Sequence, residues 1–258
     1  HGYLDLARDT LGRDHVRVGT YCGELSDGYG FSRHWVNPHA DFFLAATGDC
    51  LRAALRLGMN PAKARQVGFM LRPESYAQAG DKLAFFGNEL GLDPSRFTLL
   101  LATGAVGANN HRPLLAAMDK AGLDLQVIAL CGRDESLLQQ LNAWKPRHSN
   151  LRLKAIPYTP HMPQLLASVD ALVARGGTGT TSEAILAGCP LIVNALGGIM
   201  PQEMITLRYL SRFGPAPLIS QDSQVTLARR GPGSARSALK CVTKRVPCPQ
   251  HSQSRLWT

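Results

Sequence analysis

The stretch ALVARGGTGTTSEAILAGCPLIVN, residues 171–194, decides the fold of this chain. It starts with a short apolar run, passes through a turn rich in glycine and threonine, and continues into a helical segment that carries Glu183. Gly188 and Pro190 then lead into a second apolar run. Two apolar runs joined by one helix are typical of a strand–helix–strand unit, whose two strands lie parallel in one sheet.

The same alternation of apolar runs and amphipathic helical segments extends over residues 15–220. The predicted strands are residues 16–22, 41–47, 97–104, 125–132, 151–158, 171–176 and 190–196. Because these runs are apolar on both faces, they favour a parallel sheet that is covered by helices on both sides. We therefore expect an α/β fold of the doubly wound type.

Changes in pattern along the chain predict three segments. Near Arg72 and Pro73 a strand-like run gives way to a long polar segment, which indicates a domain boundary. Residues 1–72 contain too few strands for a complete sheet, so we expect them to be the end of a truncated N-terminal domain. Residues 73–220 are expected to form a C-terminal domain. Residues 221–258 lack apolar periodicity and are expected to form a basic tail that is disordered or aberrant.

Composition excludes several classes of protein. With 45% hydrophobic and 18% charged residues, the chain is neither disordered nor collagen-like. Its six cysteines form no CxxC pair, so we expect reduced cysteines, a cytoplasmic location and no metal site. No apolar run reaches the roughly 18 residues of a membrane-spanning helix. The tail carries +6 of the formal charge of +9, but no aromatic residues alternate with its basic ones before Trp257, so no nucleic-acid partner is expected.

Two loops hold candidate phosphate contacts. Gly104 and Gly107 lie in a turn between a predicted strand and a predicted helix, where backbone N–H groups can bind an anion. The alternative is an ordinary tight turn with an asparagine cap. Arg133 follows the next predicted strand and provides a cation that suits a phosphate group. Asp124 precedes that strand instead of following it, which argues against a dinucleotide site.

The turn in the opening stretch is the strongest candidate site. Its N–H and O–H groups are suited to a diphosphate, and they belong to Gly177, Thr178, Gly179, Thr180 and Thr181. Thr180 and Glu183 also match a capping box, in which the glutamate only satisfies the N-terminus of its own helix. The residue pattern leaves both explanations of Glu183 open.

Residues 97–210 resemble the C-terminal domain of glycosyltransferase family 28, which includes diacylglycerol glycosyltransferases and the lipid II N-acetylglucosaminyltransferase. The resemblance is carried by LLLATGAVG, VIALCGRDE, IPYTPHMPQLLASVDALVARGG, GGTGTTSEAILAGCPLIV and PQEMITLRYL, in the order and spacing of the family. The earlier stretch from VGTYCGELSDGYGFSRHW to GFMLRP is similar to the end of the family's N-terminal domain.

This resemblance implies a GT-B fold, with two facing Rossmann-like domains, and a UDP-sugar bound by the C-terminal domain. It implies that the loop from Tyr158 to Met162 contacts the uracil and that Glu183 accepts hydrogen bonds from the ribose. The glycine-rich turn would line the diphosphate, and Gln202 with Glu203 would face the sugar hydroxyls. The UDP-sugar is then a donor substrate, and no cofactor is expected.

The implied function is inverting transfer of a hexose from a UDP-sugar to a lipid acceptor. The protein is expected on the inner face of the membrane, in peripheral contact with anionic lipid. No residue is assigned as the general base, and the 258-residue chain alone is expected to be inactive. Pro157 and Thr206 depart from the Gly and Asn that many members have, which leaves the sugar open. The alternatives are a UDP-sugar 2-epimerase-like enzyme and a catalytically silent nucleotide-sugar-binding module.

Overall fold

The computed structural model describes residues 2–12, 15–76, 85–102, 110–148, 150–213 and 218–219. The predicted tail, residues 221–258, lies outside this part of the chain. The α-helices described are α1 Gly2–Thr10, α2 Gly48–Arg56, α3 His111–Lys120, α4 Glu135–Ala143, α5 Met162–Ser168, α6 Thr178–Leu186 and α7 Pro201–Leu210. The strands are β1 Gly19–Cys22, β2 Phe42–Ala45, β3 Ala64–Gln66, β4 Thr98–Ala102, β5 Gln126–Leu130, β6 Arg152–Ile156, β7 Ala171–Ala174, β8 Leu191–Asn194 and β9 Leu218–Ile219. Short 3₁₀ helices lie at Arg33–Trp35, Pro61–Lys63, Pro73–Tyr76 and Ser211–Phe213, and a π-helix lies at Phe85–Leu90.

The larger sheet has six parallel strands in the order β6-β5-β4-β7-β8-β9. The chain moves outward from β4 to β6, returns to β7 beside β4, and then moves outward to β9. The direction of winding therefore reverses between β4 and β7. In doubly wound sheets this is the position where ligands bind, beyond the carboxyl ends of the strands. The predicted α/β class with a parallel sheet is confirmed.

The centre of this sheet is packed on both faces. Leu101 of β4, Val127 of β5 and Val173 of β7 are completely buried and pack with Leu114 and Leu115 of α3. Complete burial of one such aliphatic side chain contributes about 1.5–3 kcal/mol to stability. Since no face of these strands meets water, their sequences are continuously apolar instead of alternating.

A smaller parallel sheet has the order β1-β2-β3 and packs against α2. The run QVGFML, residues 66–71, is strand-like in sequence, but β3 ends at Gln66. Gly68, two residues later, has φ +82°. A residue in this left-handed region cannot continue an extended strand, which explains the early end.

The chain forms two compact units, each with its own parallel sheet. One unit contains residues up to Met70 together with Pro201–Tyr209, and the other contains Leu71–Met200 together with the described residues from Leu210 onward. In sequence α7 falls between two strands of the larger sheet, yet it belongs to the first unit. The domain limits at residues 72 and 220 stay predictions, because a grouping by contact does not define which segments fold independently.

Candidate functional site

The candidate site lies at the carboxyl ends of β4 and β7, where the winding of the large sheet reverses. Strand β4 ends at Ala102, and the predicted phosphate contacts Gly104 and Gly107, which follow it, lie outside the described residues. Strand β7 ends at Ala174, and its turn leads directly into α6. The sequence-predicted turn of residues 177–181 is therefore at the topological position where such sheets bind ligands.

Helix α6 begins at a residue that cannot cap it with a side chain. Its N-cap is Gly177, in an extended conformation with φ −62° and ψ 140°, and glycine has no side chain to accept a hydrogen bond from the first amides of the helix. The first backbone bond within the helix runs from Thr181 N to Gly177 O, 3.0 Å. The amides before Thr181 thus have no acceptor within the helix, and together with the helix dipole they favour an anion.

The two glycines at this helix end are not crowded by the described part of the chain. Gly177 and Gly179 are exposed, and a Cβ added to either would have no described atom within 4 Å. Thr178 and Thr180 are partly exposed beside them, whereas Thr181 is completely buried. The Thr181 hydroxyl makes no hydrogen bond to any described residue. Four of the five predicted turn residues are thus accessible, and the side chain of the fifth faces the interior.

Glu183 lies in the second turn of α6 and is not part of a capping box. Because the cap is Gly177, Thr180 is already the third residue of the helix and cannot act as its N-cap. The Glu183 carboxylate is 15% exposed and accepts a hydrogen bond through Oε1 from Nη2 of Arg72, 3.3 Å away. Arg72 is 45% exposed, so this ion pair contributes at most about 1 kcal/mol.

The contact with Arg72 is one that the sequence did not predict. Arg72 precedes the 3₁₀ helix Pro73–Tyr76, which packs against α6, so these two segments bring the guanidinium to the carboxylate. The two residues are 111 positions apart in the chain. Such a separation leaves no local signal, although Arg72 falls within the stretch GFMLRP that resembles the family.

Arg133 and Tyr158 come together at the carboxyl ends of β5 and β6. The guanidinium carbon of Arg133 lies 5.7 Å from the centre of the Tyr158 ring, a cation–π distance. The backbone holds this pair, because Tyr158 N donates to Gly132 O at 2.6 Å and Gly132 has φ +61°. Tyr158 is 59% exposed, so its aromatic side chain is accessible from solvent. The sequence predicted a separate role for each residue and missed their contact.

Met162 is the first residue of α5, and its side chain is buried. Only its backbone N–H, at the start of a helix, is placed to bind a ligand.

Cys131 follows β5, and burial raises the pKa of its thiol to about 11. A thiol with this pKa is protonated at neutral pH, and protonation lowers its reactivity as a nucleophile.

Polar contacts connect the loops at this edge of the sheet. Leu196 O accepts hydrogen bonds from Asn110 Nδ2 at 3.1 Å and from Arg175 Nη1 at 3.0 Å. Leu196 N donates to Asn194 Oδ1 at 3.1 Å. Asn110 is the N-cap residue of α3, but its side chain makes no capping bond. It reaches the loop after β8 instead, so Asn110 does not provide the asparagine cap of the alternative explanation.

Gln202 and Glu203 belong to α7, in the other compact unit. Gln202 is exposed, whereas Glu203 is only 3% exposed. Thr206, which stands where many family members have Asn, is completely buried, and its hydroxyl has no hydrogen-bond partner in the described part of the chain.

In the described residues, no group of three or more His, Cys, Asp and Glu side chains is arranged to hold a metal ion.

Comparison with known proteins identifies the domain. Residues 98–199 match the model of the glycosyltransferase family 28 C-terminal domain. A processive diacylglycerol beta-glucosyltransferase of Staphylococcus carnosus is 26% identical over 187 residues, which cover 72% of this chain and 46% of the relative. The protein of the same name from Staphylococcus aureus strain Newman is 23% identical over 188 residues, with the same coverage. The chain therefore spans about half the length of the curated relatives that it matches.

Solved structures establish the fold. The crystal structure of MurG from Acinetobacter baumannii has a TM-score of 0.52 and 16% identity, over 92% of this chain and 68% of that one. The structure of UGT89C1 from Arabidopsis thaliana, complexed with UDP-L-rhamnose, has a TM-score of 0.59 and 12% identity, over 92% of this chain and 63% of that one. Both neighbours are GT-B glycosyltransferases. Residues 98–199 therefore resemble the C-terminal domain of glycosyltransferase family 28, in a chain with the GT-B fold.

Proposed function

We propose that this domain binds the UDP part of a UDP-sugar and that the enzyme transfers the sugar, with inversion, to a lipid acceptor. The observation that carries the proposal is the pairing of a helix N-terminus capped only by glycine with a mostly buried carboxylate in the next turn, at the switch point of the sheet. The names of the relatives, diacylglycerol beta-glucosyltransferases, support a lipid as the acceptor.

The diphosphate is assigned to the N-terminus of α6. Its negative charge suits the backbone amides there, and the glycines at residues 177 and 179 leave room for close approach. In the transfer step the bond between the sugar and the diphosphate breaks, and the electron pair remains on the departing UDP. Fixed amides aimed at this charge would stabilise the transition state without having to reorganise.

The ribose is assigned to Glu183 and the uracil to the surface around Tyr158. A carboxylate accepts hydrogen bonds from both hydroxyls of a cis-diol, which is the chemical reason to place the ribose there. Because Arg72 already contacts Oε1, ribose binding must share or displace this ion pair. The exposed Tyr158 ring, the adjacent Arg133 and the backbone of Met162 are proposed to bind the base. Gln202 and Glu203 stay assigned to the sugar hydroxyls by resemblance to the family.

The acceptor and the location are also proposals. A diacylglycerol-type acceptor resides in a membrane, so we propose peripheral binding to anionic lipid on the inner face. Across the residues that the structure describes, no helix is both long and apolar enough to span a bilayer. The basic tail, with a net charge of +6, is the segment whose charge suits anionic headgroups.

Calorimetric titration with UDP tests the proposal. Glu183→Ala is expected to weaken UDP binding by roughly 1–3 kcal/mol, about 5- to 150-fold in Kd, because the ribose hydroxyls lose a charged acceptor. Glu183→Gln should weaken it less, since the amide keeps one acceptor oxygen. Glu135→Ala, which removes an exposed glutamate from the first turn of α4, is the matched control and should bind UDP as the wild type does. Unchanged affinity in Glu183→Ala would remove the ribose assignment.

A further inference from the structure

The tight turn after β8 leaves one backbone carbonyl for its neighbours. Gly198 N donates to Ala195 O at 3.0 Å, and Gly197, the third residue of the turn, has φ +80°. Both features match a type II turn, whose own hydrogen bond uses only the carbonyl of the first residue. The second residue is Leu196, so its carbonyl oxygen is available to groups outside the turn.

This turn is anchored to the larger sheet. Asn194, the last residue of β8, is completely buried, and its Oδ1 accepts a hydrogen bond from Leu196 N at 3.1 Å. Ala195 N donates to Ile219 O of β9 at 2.8 Å. The Leu196 side chain packs against the core of the sheet. Because these contacts fix the turn on several sides, the Leu196 carbonyl oxygen has a defined position at the carboxyl edge of the sheet.

Two side chains from different connections donate to this oxygen. Arg175 Nη1 lies 3.0 Å from Leu196 O, and Asn110 Nδ2 lies 3.1 Å from it. Arg175 directly follows β7, and Asn110 lies in the connection between β4 and α3. Since β4, β7 and β8 are neighbours in a parallel sheet, their carboxyl ends meet at one edge. Leu196 O therefore joins the connections that follow all three strands.

Both donors stand at the start of a helix. Arg175 is two residues before Gly177, the N-cap of α6, and the intervening Gly176 has φ +81°. Asn110 is itself the N-cap residue of α3, but its side chain bonds to Leu196 and not to its own helix. The shared oxygen thus ties the segment that leads into α6 to the residue that begins α3. Donors that are already held in place bind an anion without the cost of ordering them first.

We propose that Arg175 and Asn110 are positioning residues, which act through Leu196 O to hold the N-termini of α6 and α3 in one arrangement for the diphosphate. The inference rests on the proposed function, because it takes the diphosphate to lie at the start of α6. It extends that function by assigning a role to a turn that need not touch the donor. All three residues belong to the compact unit that contains Leu71–Met200.

Calorimetry with UDP and with uridine on the 258-residue chain tests the inference. Arg175→Gln and Asn110→Ala should each raise Kd for UDP by roughly three- to tenfold, the size of a hydrogen-bond contribution. Kd for uridine, which has no diphosphate, should stay within about twofold. A merely structural role would weaken both ligands together, so the ratio of the two Kd values separates it from positioning. Because Asn110→Ala changes no charge, its effect cannot come from a weaker electrostatic field at the anion.

The double variant tests whether the two residues act through the same oxygen. It should weaken UDP binding little more than the stronger single variant does, because the loss of either donor already releases the turn. Residues that share one partner commonly have effects that are not additive in free energy. Fold-changes that multiply in the double variant would show two independent contributions and would overturn the inference.

Arg96→Gln is the matched control. Arg96 Nη2 also donates to a backbone carbonyl, Asn150 O at 3.0 Å, in the same compact unit, and it pairs with Asp124. Arg96 precedes β4, so it lies at the amino edge of the sheet, whereas Arg175 lies at the carboxyl edge. The control removes the same charge and should change neither Kd.

Hydrogen exchange provides a readout that needs no ligand. Arg175→Gln and Asn110→Ala should each speed exchange of the turn amides, which belong to Leu196 and Gly198, and Arg96→Gln should not. Unchanged exchange, or an equal weakening of UDP and uridine, would overturn the inference. A wild-type chain that binds UDP no more tightly than uridine would overturn the diphosphate assignment of the proposed function instead, and exchange would still decide whether the two donors hold the turn.

Discussion

The structural surroundings of Glu183 decide between the two explanations that its sequence pattern left open. The spacing of Thr180 and Glu183 matches a capping box, but the helix starts two residues before Thr180, so the pattern has no capping function. The start of the helix depends on where β7 ends and on the turn at Gly176, which has φ +81°. The local pattern alone could not distinguish a cap from a ligand contact, because both need the same residue types.

His111 provides a pH-dependent test at the level of one side chain. It is the first residue of α3 and is only 1% exposed. This burial lowers the pKa of its imidazole. Backbone hydrogen bonds at Leu101 and Leu130 and the negative charge of Asp134 act in the opposite direction. Because the folded pKa is below the unfolded value of about 6.5, the unfolded chain binds a proton first as the pH falls. Stability is therefore expected to be constant above this pH, as far as His111 is concerned, and to decline below it.

Urea unfolding at pH 7.5 and pH 5.5 measures this effect. His111→Gln should reduce the loss of unfolding free energy between the two pH values. His148→Gln, which changes an exposed histidine in the same unit, should retain the loss. A pH dependence that is identical in wild type and His111→Gln would contradict the assignment of a buried neutral imidazole.

Among the elements, the sequence predicts the central strands best. Strands β4, β5 and β7 appear where continuous apolar runs stand, because burial on both faces requires such runs. Strand β3 is not among the predicted strands, and the strand-like run that follows it is interrupted at Gly68. The assignment of α7 to the unit of residues 1–70 was not predicted. It depends on contacts such as Asp27 with Arg208, which are 181 residues apart and have no periodicity to detect.

Helix α6 provides a test in which stability and binding change in opposite directions. Aspartate is a better N-cap than glycine by a few tenths of a kcal/mol, whereas alanine is a worse one, typically by about 0.5–1 kcal/mol. Gly177→Asp should therefore slightly raise the melting temperature and yet strongly weaken UDP binding, since its carboxylate occupies the proposed diphosphate position. Gly177→Ala should lower the melting temperature with a smaller effect on UDP. Calorimetry and thermal unfolding of both variants check this, and wild-type UDP affinity in Gly177→Asp would remove the diphosphate from this helix end.

For the whole molecule, the sequence predicted the parallel-sheet class and the glycine-rich turn between a strand and a helix, because both depend on local apolar runs and turn residues. The structure places this turn at the switch point of the larger sheet. It did not predict how α7, Asp27 and Arg72 are arranged, since these depend on packing between distant segments. The role of the charge in residues 221–258 likewise depends on the proposed partner, an anionic membrane surface, which is not part of this chain.

Deleting residues 221–258 tests this charge. The deletion is expected to leave Kd for UDP within a factor of about three, because the proposed donor contacts all precede residue 221. It should weaken binding to vesicles that contain anionic lipid, since each basic residue near such a surface contributes about 1 kcal/mol. Vesicle sedimentation at low and high salt measures the change. Loss of UDP binding in a deletion variant that stays folded would mean that the tail completes the donor site.

Hydrogen–deuterium exchange of the 258-residue chain, with and without saturating UDP, measures the donor site directly. UDP is expected to slow exchange of the backbone amides of residues 178–180, at the open end of α6, and of residues 158–162, beside Tyr158. Saturating uridine, which has no diphosphate, should protect only residues 158–162. Protection by UDP that is absent from both segments, or that appears only in the unit of residues 1–70, would contradict a UDP site at the switch point of the large sheet.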